Sequence, residues 1–149
     1  MKDAMKDFID RGGLQKYPAY GGLQAEIAAY AGVTTEQVLF VNGSDQGIDL
    51  VVRCCCEKGR EVIIPSPTFA MFEQAAEAEG LVIKRPNFTK EQGFPLQEVL
   101  QMVTPQTSLI VLSNPNNPTG TEIPRSAILE VLLGLKARFG LICGGLSGL

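Results

Sequence analysis

Apolar residues recur along this chain at two alternating periods. Leu23, Ile27 and Tyr30 fall at helical spacing and predict a helix over 23–31. Val38-Leu39-Phe40-Val41 is a continuous apolar run of strand length, and it predicts a buried strand. A second helix is predicted over 45–57, with Ile48, Val51, Val52 and Cys55 on one face, closed by Lys58-Gly59. Glu61-Val62-Ile63-Ile64 predicts the next strand, and residues 68–79 predict a helix stopped by Gly80. Leu81-Val82-Ile83-Lys84 is a third strand, and residues 96–102 form a helix behind Pro95, a good first-turn residue. Leu109-Ile110-Val111-Leu112 is a fourth strand. The last clear helix runs over 124–138, with Ile128, Val131, Leu132 and Leu135 inward.

Short continuous apolar strands alternating with helices predict an α/β fold. It has three layers, α/β/α, around a mostly parallel sheet covered on both faces. The strands near 38–41, 61–64, 81–85 and 109–112 are expected in one sheet. No internal repeat, low-complexity tract or linker divides the chain, and the longest irregular connection is 86–95. The pattern reads as a single α/β unit.

Composition agrees with such a unit. The chain has 149 residues, 45% hydrophobic and 19% charged, enough for one domain with a real core. Its net charge is −3, without clustered Lys and Arg, so no nucleic-acid partner is expected. Residues 1–7 alternate in charge and lack an apolar signal core, and no apolar run approaches the length of a membrane span. A cytoplasmic location is expected. Cys54, Cys55 and Cys56 are consecutive, and adjacent helical residues point about 100° apart, so they build no metal cage alone. Cys143 is distant and the chain has no histidine. No metal site is expected, and the cysteines are read as reduced, mostly buried small apolar residues. The lack of histidine also excludes Ser-His-Asp and Cys-His catalysis within these residues.

The candidate chemistry lies where predicted strands end. Ser113-Asn114-Pro115-Asn116-Asn117-Pro118-Thr119-Gly120 follows the strand at 109–112, and its prolines and glycine exclude helix or central strand. Open α/β sheets build ligand sites at such strand ends. Asn, Pro and Gly are also ordinary turn residues, so composition alone leaves a plain polar turn open. Gly43-Ser44-Asp45-Gln46 lies between strand 38–41 and a helix start, where free backbone N–H groups bind phosphate without lysine. A simple N-cap without ligand is the alternative there. No G-x-G-x-x-G or G-K-[ST] motif is present, so the dinucleotide and nucleotide-triphosphate fingerprints are missing. Phe69, beside Pro67-Thr68, offers an aromatic face, or is simply a core residue.

S-N-P-N-N-P-T-G resembles the signature loop of the pyridoxal-phosphate-dependent aminotransferases of fold type I, class I/II. Three further segments agree in the same order. Tyr17-Pro18 with Tyr20-Gly21-Gly22-Leu23 resembles the family's entry segment. Asn42-Gly43-Ser44-Asp45-Gln46 resembles its phosphate turn. Residues 65–72 resemble its P-x-P-T-Y/F-x-M-Y segment. Together they are more similar to histidinol-phosphate aminotransferases than to the aspartate or aromatic branches. The resemblance implies pyridoxal 5′-phosphate as cofactor. Ser44 and Asp45 would meet its phosphate, mainly through backbone amides, Phe69 would stack on its ring, and Asn117 would donate to its phenolate oxygen. Tyr17 would reach the phosphate from a neighbouring subunit, which implies a homodimer. Cis peptide bonds are implied at Ser66-Pro67 and Asn117-Pro118.

The resemblance spans roughly residues 1–135. The family continues with a strand ending D-E-A-Y, whose Asp pairs with the pyridinium nitrogen; here, in the Gly-rich residues 140–149, Leu141-Ile142-Cys143 offers a start for that strand, but no carboxylate follows. The lysine that forms the aldimine lies in a later S-K segment. None of Lys2, Lys6, Lys16, Lys58, Lys84, Lys90 and Lys136 has that context. No catalytic residue is therefore assigned. The expectation is a partial large domain over 1–139, truncated at both ends, with an unassigned tail at 140–149. By family the function is amino-group transfer between histidinol phosphate, or a similar amino acid or amine, and a 2-oxo acid, in histidine biosynthesis. The alternatives are a non-catalytic remnant and a pyridoxal-phosphate-dependent decarboxylase or lyase on the same scaffold.

Overall fold

A computed structural model describes residues 1–134 and 140–144. The chain divides into two compact units, residues 1–41 and residue 42 onward, where sequence led us to expect one.

The first unit contains helices α1 (Lys2–Asp10) and α2 (Gly21–Ala31) with short 3-10 turns at Gly13–Gln15 and Thr35–Gln37. Helix α2 closes on Gly32, whose φ of +67° is the left-handed geometry that glycine adopts without penalty. The predicted strand at 38–41 does not form. Its backbone is engaged locally instead. The Gln24 side-chain amide donates to the carbonyls of Thr35 and Val38, both at 2.8 Å. The Phe40 ring stacks on Tyr20 at 5.2 Å. The stripe Leu23, Ile27, Tyr30 stays exposed, because this unit has no strand for it to cover, and the buried residue of α2 is Ala28.

The second unit is the α/β fold. Its elements are α3 (Gly43–Cys55), β1 (Glu61–Ile63), α4 (Ala70–Ala78), β2 (Val82–Lys84), α5 (Leu96–Met102), β3 (Thr107–Ser113), α6 (Arg125–Gly134) and β4 (Gly140–Gly144). The four strands pair in parallel, in the order β2-β1-β3-β4. Strand periodicity sorts the core into two layers. Val62, Ile64, Leu109 and Val111 face α3 and α4, where they meet Ile48, Val52, Phe72 and Ala76. Ile63, Ile110 and Leu112 face the other way, onto Val99 of α5 and Ala127 and Val131 of α6. The three-layer α/β/α expectation therefore holds for this unit.

Three local readings change. Residues 140–144, placed in the unassigned Gly-rich tail with a strand start at Leu141-Ile142-Cys143, form β4 over its glycines as well, with Leu109 opposite Gly140 and Ser113 opposite Gly144. Parallel pairing asks for backbone groups on an extended chain, and glycine supplies these despite its poor strand propensity. Cys54 and Cys55 are exposed rather than buried, and Cys56 is half-buried. The buried stripe of α3 is Ile48 and Val52, and one further helical step points to Cys56, not Cys55. Burial of Cys56 pushes its thiol up to about 11. On α6 the inward residues are Ala127 and Val131; Leu132 lies 43% exposed, and Leu135 falls outside the described residues.

The strand-start edge of the sheet is held by a polar knot. The Lys84 ammonium donates to Glu61 Oε2 at 2.7 Å and to the Met102 carbonyl at 2.9 Å. The Thr104 and Thr107 hydroxyls donate to the same carboxylate oxygen. The hydrogen bond from Lys84, then that from Thr104, hold the Glu61 carboxyl below its ordinary 4.5, with burial opposing them. A carboxylate with a depressed native pKa stabilises the fold fully above its unfolded value and loses that contribution as pH falls through the native one. We therefore expect part of the acid-side loss of stability to vanish in Glu61→Gln. Urea midpoints measured between neutral pH and pH 3 check this, and identical pH slopes for both proteins would contradict it.

Candidate functional site

Strand order places the site. From β1 the chain crosses through α4 to β2 on one side, then returns through α5 to β3 on the other side of β1. The helices that follow the two central strands therefore diverge, α4 to one face and α6 to the other. Open parallel sheets bind ligands in the crevice that this reversal leaves beyond the strand ends. Here the two segments at the crevice are 65–69 after β1 and 113–120 after β3.

Those segments are fastened together by Asn116, which is 2% exposed. Its Oδ1 accepts from the Thr68 hydroxyl at 2.7 Å. Its Nδ2 donates to the Pro67 carbonyl and to Thr119 Oγ1, each at 2.9 Å. Its backbone N–H donates to the Thr121 carbonyl, and its carbonyl accepts from Gly120. A buried amide with all these partners is a structural clamp. Asn114 is likewise engaged: its Oδ1 accepts from the Ile123 N–H at 2.9 Å. Two of the three asparagines of the loop are thus committed to its shape.

Asn117 is the third. It is exposed, and among the described residues its side-chain amide has no hydrogen-bond partner. The peptide bonds at Ser66-Pro67 and Asn117-Pro118 are cis, as the resemblance implies, and so is Asn114-Pro115, which sequence reading missed.

Phe69 is the N-cap residue of α4 and is half-buried. Its ring meets Phe72 edge-on, 6.0 Å between centroids at 87°. Ser44 and Asp45 lie exposed in the first turn of α3. Gly43 opens that helix at φ +77°, a conformation that side chains with a Cβ rarely adopt. No side chain caps the α3 start, though Gln46 Oε1 accepts from the Asn42 N–H at 2.5 Å. Helix α3 enters β1 five residues after its last turn, so its first turn lies toward the strand-end edge, as does that of α4. Tyr17 belongs to the 1–41 unit and is fully exposed there.

A hollow of about 330 Å³ lies beside the 66–68 turn, walled by Ser66, Pro67, Thr68 and the outer face of α4 with Glu73, Gln74 and Glu77. Ser44, Asp45, Phe69 and Asn117 are not part of its wall. The four share an edge of the sheet by topology, and this hollow does not bring them together.

Sequence reading missed Asn116 and Thr68. The pairing between them spans 48 residues, and nothing local distinguishes Asn116 from Asn117. Among the described residues no group of three or more His, Cys, Asp or Glu could hold a metal ion. Nor is any described helix long and apolar enough to cross a membrane.

Residues 1–142 match the model of the family Aminotransferase class I and II. The histidinol-phosphate aminotransferase of Methanococcus maripaludis is 38% identical over 113 residues, covering 74% of this chain and 30% of the relative. The chain thus spans about a third of the length of the curated relatives it matches. Among solved structures, aspartate aminotransferase from Thermus thermophilus with maleate superposes at a TM-score of 0.83 and 25% identity, over 95% of this chain and 40% of that one. The histidinol-phosphate aminotransferase of Sinorhizobium meliloti, in complex with pyridoxal 5′-phosphate, superposes at 0.80 and 20% identity, over 89% and 37%. Pyridoxal 5′-phosphate is the cofactor of this family. The parallel sheet, the reversal at β1 and β3, and the match over residues 1–142 lead to one assignment: this chain belongs to the class I and II aminotransferases.

Proposed function

We propose that this chain supplies the phosphate, ring and phenolate contacts of a pyridoxal-phosphate site serving amino-group transfer. The amino donor would be histidinol phosphate or a similar amine, with a 2-oxo acid as acceptor, in a cytoplasmic homodimer. Curated relatives of that name, such as those of Methanococcus maripaludis and Bacteroides fragilis, support the donor class. The observation that carries the cofactor site is the pair of segments clamped across the strand reversal, with Asn117 left unengaged among the described residues.

The donor set fits the group in chemistry. The first-turn amides of α3 carry no side-chain cap, and the glycine at φ +77° opens the chain toward them. An anion is favoured there by the unpaired N–H groups and the helix dipole, with Ser44 Oγ as an added donor. The carboxylate of Asp45 opposes an anion, so its contribution to binding would be its backbone N–H. Phe69 offers a stacking surface, and the Asn117 amide a neutral donor for a developing phenolate. Tyr17 would serve the phosphate of a neighbouring subunit. When bound, pyridoxal phosphate supplies an aldehyde that takes the amino group and a ring that accepts electron density. The residues here bind and orient it.

Asn117→Ala is expected to weaken pyridoxal phosphate binding about tenfold, the loss of one charge-assisted hydrogen bond of roughly 1.5 kcal/mol. Phe69→Leu should weaken it by a similar factor through lost stacking. Equilibrium dialysis of the wild-type and substituted chains checks this, and unchanged affinity in both variants would contradict the reading.

A further inference from the structure

We infer that Asn116, seated on Thr68, is a positioning residue that fixes where the Asn117 amide meets the cofactor ring, an inference that rests on the cofactor site proposed above. The segments that carry Phe69 and Asn117 leave different strands and continue into helices on opposite faces of the sheet. Adjacent strand ends alone do not fix the loops beyond them. The Asn116 side chain does so. It sits in the loop after β3, yet two of its three side-chain hydrogen bonds go to the loop after β1, at Thr68 Oγ1 and the Pro67 carbonyl.

The geometry assigns each atom a task. Pro67 and Thr68 immediately precede Phe69, so holding them holds the start of α4 and the residue at its N-cap position. Asn116 immediately precedes Asn117, so burying one amide sets the direction from which the next leaves the backbone. The third bond, to Thr119 Oγ1 at 2.9 Å, and the backbone bond from Gly120 at 2.7 Å curl the loop around Asn117 from its far side. The ring-stacking surface and the phenolate donor are therefore set against each other by one buried side chain that itself touches neither ring nor phenolate. Its freedom to reorient is small, because each of its polar atoms has a partner and the residue is 2% exposed.

A positioning role differs from a purely structural one in what it moves. A hydrogen bond donated to a phenolate favours the charged form and lowers the pH at which the phenol ionises. That midpoint depends on the placement of the Asn117 amide and not on global stability. The substitutions are Thr68→Val, which removes the donor to Asn116 while keeping the shape of the side chain, and Thr68→Ser, which keeps the hydroxyl. Asn116→Ala is a third, examined below its unfolding midpoint. The probe is pyridoxine 5′-phosphate, which has the phosphate, ring and phenol of the cofactor but no aldehyde to react with surface lysines.

The experiment follows the ultraviolet absorbance of pyridoxine 5′-phosphate against pH, free and with excess 149-residue chain. In wild-type and Thr68→Ser protein the phenol midpoint should fall below that of the free compound by about half a pH unit or more. In Thr68→Val and Asn116→Ala protein it should return toward the free value, while phosphate-driven binding is retained to within about threefold. Bound probe with the same midpoint in wild-type and Thr68→Val protein would overturn the positioning role alone. An absence of binding by the wild-type chain at millimolar probe would overturn the cofactor-site reading itself, and the positioning role with it.

Discussion

Replacing Asn116 by alanine is expected to destabilise the α/β unit by about 2–4 kcal/mol, whereas the same change at Asn117 should alter stability by less than about 0.5 kcal/mol. The residues are neighbours in sequence and identical in chemistry, so only their surroundings separate them. Asn116 is buried and takes part in three side-chain hydrogen bonds. Its removal leaves the half-buried Thr68 hydroxyl without its partner, at roughly 1–3 kcal/mol where water does not replace it, and empties a buried side-chain position. Pro67 and Thr119 are exposed and recover partners from solvent. Asn117 is exposed with no described partner to orphan. Urea unfolding of both variants, with the slope of the transition checked for constancy, measures the contrast. Equal losses would mean that the loop is not built around Asn116.

A polypeptide of these 149 residues is expected to hold pyridoxal phosphate without attaching it to one defined lysine, and to form no glutamate from histidinol phosphate and 2-oxoglutarate. Covalent attachment needs an amine aimed at the cofactor aldehyde from the strand-end edge. Lys84 is drawn the other way, with its ammonium on Glu61 and the Met102 carbonyl at the strand-start edge. Lys58 lies in the turn that leads into β1, at that same edge. Lys90 lies in the 86–95 connection, Lys2, Lys6 and Lys16 belong to the 1–41 unit, and Lys136 falls outside the described residues. No residue here matches the family acid beside the ring nitrogen, and a ring without that partner is a weaker electron sink. Borohydride reduction followed by peptide mapping is the check. Scattered substoichiometric labelling is the expected result. Stoichiometric labelling of one lysine with steady glutamate production would contradict it.

Sequence legibility followed the range of the interactions. The strands at 61–63, 82–84 and 107–113 were readable because each is a short apolar run between punctuated helices, and both faces of the central pair are buried. The run 38–41 carries the same local signal without becoming a strand. A strand needs a partner ladder, and in this structure the Gln24 amide and the Tyr20 ring engage that segment instead. Strand β4 was partly legible. Leu141-Ile142-Cys143 is an apolar start for a strand, the flanking glycines are not, and β3 pairs with the segment along five residues.

The candidate site was half legible for the same reason. Motif order drew attention to Ser44, Asp45, Phe69 and Asn117, and topology puts their segments at one edge of the sheet. The clamp that shapes that edge depends on a contact across 48 residues, which no local pattern announces. The exposed stripe of Leu23, Ile27 and Tyr30 shows the complementary failure, since helical spacing predicts a face but not what covers it.

The most direct test of a cofactor site at the β1–β3 reversal is residue-resolved binding. The isotopically labelled 149-residue chain would be titrated with pyridoxine 5′-phosphate while its amide resonances are followed. The account predicts saturable shifts at the backbone amides of Gly43, Ser44 and Asp45, at Phe69, and at the Asn117 side-chain amide. Glu61 and Thr107, the first residues of β1 and β3 at the strand-start edge, should remain still. Shifts confined to that opposite edge, or none at 43–45 and 117 at saturating probe, would contradict it.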